Sequence, residues 1–112
     1  MGIREDCVAG VSFLVSTAPM VHDAVAHHGR FVVGPRGTLM VEGDGHLTGT
    51  FVVVLEAGST FASGRVVSPH GSVVPVGEWF FFDRGCSPQW TSEQVLSLVH
   101  APEALGALGI GL

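Results

Sequence analysis

Residues 50–56, Thr-Phe-Val-Val-Val-Leu-Glu, constrain this chain more than any other stretch. Phe, three Val and Leu stand in a row, with turn-forming Ala-Gly-Ser after them. β-Branched and aromatic residues suit a pleated, packed surface. A short continuous apolar run bounded by turn residues reads as a strand buried on both faces. This segment is the expected central strand, and the rest of the chain must cover it twice.

The means for doing so are limited. At 112 residues the length fits one domain, residues 1–112. A domain of this size leaves much of its surface in water. Charged residues make up 13% of the chain, against about 25% in ordinary globular proteins. Lysine is absent, and the cations are five scattered arginines, Arg4, Arg30, Arg36, Arg65 and Arg84. So little charge cannot cover the surface, and exposed apolar patches are expected, the usual mark of association sites. The expected partner is a second copy or a larger protein assembly. With a net charge of −5 and no basic cluster, neither nucleic acid nor an anionic membrane surface is an expected partner. No apolar run approaches the roughly 20 residues of a membrane span. The segment before residues 8–15 is net negative, the wrong sign for a signal peptide. Localisation is therefore left open between virion and cytoplasm. Cys7 and Cys86 are too few for a disulfide framework and lack CxxC spacing, so their pairing is left open.

Along the chain, residues 7–16 read as a first strand, with Gly10 at a bulge or close approach. A short helix is expected next. Ser16 or Thr17 caps it, Pro19 fits its first turn, and Met20, Val21, Ala24 and Val25 form an apolar stripe. Gly29 supplies its left-handed end, His27 and His28 lie in its last turn, and Asp23 pairs with His27 four residues on. Short strands follow at 30–33, 38–42, 47–56, 60–63, 65–68, 72–76 and 78–83, separated by glycine turns. Several glycines fall six apart, but the residues before them are not the repeated aliphatics a hexapeptide β-helix needs. A C-terminal helix begins near Ser92, with Thr91 and Gln94 in a capping-box pattern. Residues 105–112 form an uncharged apolar tail, loosened by Gly106, Gly109 and Gly111. The expected fold is α+β and mainly β. Short, mostly antiparallel strands form a sandwich, roll or small barrel, with one helix after the first strand and one at the C-terminus.

Chemistry-bearing patterns are sparse. Six histidines are present, but His22 and His27 are five apart, not the four that lets a helix share a metal between two histidines. The turns at 69–71 and 75–77 resemble those of cupin-like β-rolls, yet the His-x-His that holds metal there is missing. His46 and His70 are the remaining metal candidates. Cys86 has Arg84 nearby but no nucleophile signature around it. No phosphate or dinucleotide loop occurs, and no cofactor is expected. The block Trp79-Phe80-Phe81-Phe82 is aromatic on both faces. With Leu105, Leu108, Ile110 and Leu112 it makes up the expected interface, since aromatics concentrate in interface cores. The expected function is a non-enzymatic, self-associating structural subunit, for instance a virion component such as a bacteriophage capsid-decoration or tail protein. The alternative is a small β-barrel metal-dependent enzyme or ligand-binding protein that uses His46 or His70.

Overall fold

The computed structural model describes residues 2–112. Its strands are β1 (Ile3–Val8), β2 (Val11–Ser16), β3 (Val21–Val33), β4 (Leu39–Gly43), β5 (Gly49–Leu55), β6 (Thr60–Ala62), β7 (Arg65–Val67), β8 (Val73–Pro75), β9 (Trp79–Cys86) and β10 (Ala107–Gly111). One helix, α1 (Ser92–Leu98), precedes β10. β5, β10, β9, β3 and β4 pair in that order, and β4 pairs back onto β5, which closes a five-stranded barrel. Closure removes the free edges that an open sheet of these strands would present.

β5 is buried on both faces, and its covering comes from this chain. Val52, Val53, Val54 and Leu55 are each 0–1% exposed. Val53 and Leu55 join Leu39, Val41, Phe31, Phe82, Leu108 and Ile110 in the barrel interior, where every barrel strand contributes. Val52 and Val54 face outward into a second cluster with Leu14, Met20, Met40, Trp90, Val95 and Ala107. Leu14 reaches there because β2 takes over from β4 along one side of β5, pairing Leu14 with Val54 and Val15 with Leu55. The small sheet β6–β7–β8 packs Phe61 and Val66 into the interior cluster, with the Phe13 and Phe61 rings 5.7 Å apart.

The structure is mainly β and carries the C-terminal helix, capped as its sequence suggests. Thr91 accepts the Gln94 backbone N–H, and Gln94 returns a bond to the Thr91 backbone. Of the sandwich, roll or small barrel expected, the strands form the closed barrel. They pair mostly antiparallel, as expected, except that β2 and β10 both run parallel to β5. Two expectations are corrected. Residues 7–16 belong to a hairpin, turned at Ala9 and Gly10, both with positive φ as a tight two-residue turn requires.

The second correction concerns the expected helix after the first strand, which is the first half of β3. Its apolar stripe is not buried as a stripe, since Val21 and Val25 are 69% and 54% exposed. From His22 to Ala26, β3 advances four residues while β9 passes only from Gly85 to Asp83. The two extra residues form a bulge with Ala24 at φ 57°. Helix-like spacing of Val21 and Val25 arises from that bulge, and alternation resumes after it. Gly29 ends no helix. A Cβ there would lie 2.8 Å from the Glu42 carbonyl oxygen, so the glycine serves close strand approach.

Candidate interaction face

Beyond the bulge, alternation divides β3 and β9 between two environments. Phe31 and Phe82 point into the barrel and are buried, and Phe80 stacks on Phe31 at 4.6 Å between centroids. The intervening residues point outward. Cross-strand register sets Arg30 beside Trp79, His28 beside Phe81 and Ala26 beside Asp83. β4 adds Glu42 opposite Arg30. The turn after β4 brings Asp44 to His28.

These side chains form a connected row. Arg30 donates from Nε at 3.0 Å and Nη2 at 2.8 Å to Glu42 Oε1. Its guanidinium carbon lies 5.2 Å from the Trp79 ring centroid, within cation–π range. His28 donates from Nδ1 to Asp44 Oδ2 at 2.8 Å. The His28 ring stacks on Trp79 at 4.9 Å and 19°, and meets Phe81 at 4.8 Å and 39°. Carboxylates on one side and aromatic rings on the other thus hold both basic groups. Even so, Trp79 remains 46% exposed and Phe81 70% exposed. Rings held this firmly lose little freedom when a partner covers them, which suits an interface anchor.

The row ends at the bulge, and Asp23 fixes the bulge. Asp23 Oδ1 accepts the N–H of Val25 at 3.1 Å and of Arg84 at 3.2 Å, and Oδ2 accepts from His27 Nε2 at 2.8 Å. The expected Asp23–His27 pair is present, but across a bulged strand and not along a helix. The His27 bond, joined by the two backbone bonds and outweighing partial burial, holds the Asp23 carboxyl below its ordinary value. A depressed carboxyl stabilises the fold above its unfolded value of about 3.9 and loses that contribution as pH falls through the lower folded value. The Asp23→Asn variant is therefore expected to be about 1 kcal/mol less stable at pH 7. The gap should close below about pH 4. Urea melts of both proteins between pH 7 and pH 2.5 check this; a gap independent of pH contradicts it.

The other expected site residues scatter. Leu108 and Ile110 are buried in the barrel, and Leu112 packs partly against it, while Leu105 is 71% exposed beside Gly49 at the start of β5. His46 sits exposed in the 3-10 turn Gly45–Leu47 before β5. His70 lies in the turn after β7, with Nε2 3.5 Å from Glu56 Oε2, just past the other end of β5. Seven residues of strand, about 20 Å, separate the two ends, so the two histidines do not share a site. Among the described residues no three His, Cys, Asp or Glu side chains are placed to hold one metal ion. Cys7 and Cys86 are both exposed free thiols. A cleft of about 320 Å³ is lined by Cys86 together with Val21, His22, Asp23, Arg84 and Gly85, so His22 is the histidine that shares this cleft with the thiol.

Arg30 and His28 were not legible as site residues. A helix reading of 17–28 hides the alternation of 26, 28 and 30, which alone would have set them on one face. Compared with protein-family models, curated proteins and solved structures, the chain matches none.

Proposed function

We propose that this protein is a non-enzymatic subunit that associates with its own kind through the outer face of β3 and β9. The observation that carries this reading is the exposure of Trp79 and Phe81 on a rigid, closed sheet. Two large rings in one row form an apolar centre, and the pairs Arg30–Glu42 and His28–Asp44 form a polar border. An apolar centre inside a polar border is the anatomy of a protein interface. The barrel fills its own core, so these rings are spare material as far as folding is concerned. A repeating assembly such as a virion coat or tail, built from many copies of a small β-rich chain, is the concrete setting that fits.

Size-exclusion chromatography with light scattering at micromolar concentration tests the reading. The wild-type chain is expected to elute as a dimer or larger species. Phe81→Ser is expected to shift it toward monomer, with the affinity between copies weakened about 30-fold. The variant should keep its melting temperature within a few degrees, because Phe81 is exposed. A wild-type monomer at 100 μM, as an order-of-magnitude ceiling for a specific interface, would remove the proposal.

A further inference from the structure

The row on β3 and β9 has two chemically different ends. Arg30 and Trp79 stand at one end, His28 and Phe81 in the middle, and Ala26 and Asp83 at the other. Arg30 uses Nε and Nη2 on a single Glu42 oxygen. A guanidinium has five N–H donors, so others remain available. Asp83 is half-buried and makes no ion pair or side-chain hydrogen bond among the described residues. Ala26, opposite it on β3, carries only a methyl group, so no side chain at that position answers the Asp83 carboxylate.

From this gradation we infer that two copies meet face to face about a two-fold axis that crosses β9 at Phe81, with the strands antiparallel. The inference rests on the association reading above and names its partner and geometry. In this arrangement Phe81 meets the second copy's Phe81. The Arg30–Trp79 end of each copy covers the Ala26–Asp83 end of the other. Each unpaired Asp83 carboxylate then receives a guanidinium. The other simple two-fold, along β9, sets Asp83 on its own copy. Two half-buried carboxylates in contact are repulsive, which selects against that arrangement. Asp44 approaches its own copy at the rim of the favoured arrangement, but each is already bonded by His28. Self-complementary contacts of this kind are what a closed dimer needs.

Cysteine cross-linking distinguishes the outcomes. In a Cys7→Ser/Cys86→Ser background, Phe81→Cys is expected to form an intermolecular disulfide under mild oxidation. Asp83→Cys alone should not, while an equimolar mixture of Asp83→Cys and Trp79→Cys should give the mixed dimer. Light scattering on the unsubstituted chain runs alongside. A monomer there overturns both the association reading and this geometry. An oligomer whose Phe81→Cys form fails to cross-link overturns the geometry and leaves association standing. Self-cross-linking of Asp83→Cys overturns the antiparallel arrangement in favour of the axis along β9. Asp83→Lys supplies a second readout that needs no cysteine. It is expected to weaken the dimer about tenfold, and an unchanged dissociation constant would count against the Arg30 contact.

Discussion

Deletion of residues 105–112 is expected to abolish cooperative folding. By composition this stretch is a loose apolar tail, but its residues 107–111 are β10, a stave of the barrel. β10 pairs in parallel with β5 from Val52 to Leu55, and antiparallel with β9 from Asp83 to Gly85. Removing it leaves both neighbours with unpaired backbone groups facing a hydrophobic interior, each a desolvation cost unless the barrel opens to water. Leu108 and Ile110 are 3% and 1% exposed. Losing two such side chains costs about 2–5 kcal/mol each. A domain of this kind has about 5–15 kcal/mol in total. The deleted chain should show no cooperative thermal transition by circular dichroism and no dispersed amide spectrum. Leu105→Ser is the matched control, since Leu105 is 71% exposed, and it should melt within about 0.5 kcal/mol of wild type. A truncated chain that still melts cooperatively would mean that β5 and β9 can close on each other directly.

Features legible in the sequence are those whose cause is local. The β5 run announces itself because burial on both faces demands apolar residues at consecutive positions, and Val52–Val54 meet that demand. The Thr91–Gln94 cap is written within four residues and forms as written. Features not legible depend on what lies opposite in space. β3 mimics a helix because two inserted residues shift Val21 and Val25 into helical spacing, and only the pairing to β9 shows the insertion. The candidate face depends on a register between residues 26–30 and 79–83, some fifty positions apart, that no spacing rule reads. The aromatic block shows the same divide. Its alternation is local and correct, with Trp79 and Phe81 on one side and Phe80 and Phe82 on the other. Which side faces water was not decided locally, because the barrel interior is filled by strands far away in sequence. The exposed rings lie on the outer surface of β9, at Trp79 and Phe81, while β5 is covered by its own chain.

Glycine shows the divide most sharply, and Gly109→Val is expected to be among the most damaging single substitutions. Gly109 pairs with Gly85, and a Cβ on it would strike the Gly85 carbonyl oxygen and lie 2.7 Å from the Met20 sulfur. Met20 is a flexible side chain and can move, but the carbonyl belongs to the neighbouring strand and cannot without breaking the ladder. Gly111 is equally close to its cover, since a Cβ there would lie 2.6 Å from Nδ1 of His22. Gly85, Gly109 and Gly111 thus form a floor without side chains, and Met20 and His22 lie across it as the chain passes from β2 into β3. Composition suggests flexibility for such glycines; their buried positions in β9 and β10 show the opposite use, close packing. Overpacking a core costs about 1–3 kcal/mol, and a clash with fixed backbone lies above that range. Gly109→Val should therefore lose at least about 3 kcal/mol, read as a lower urea midpoint with unchanged slope, or fail to fold. Gly71→Ala supplies the contrast. Nothing lies within 4 Å of a Cβ there, and only its positive φ of 89° is strained. That substitution should cost about 1 kcal/mol. If the two variants lose the same stability, the cost at Gly109 is conformational and the glycine floor is not what seats Met20 and His22.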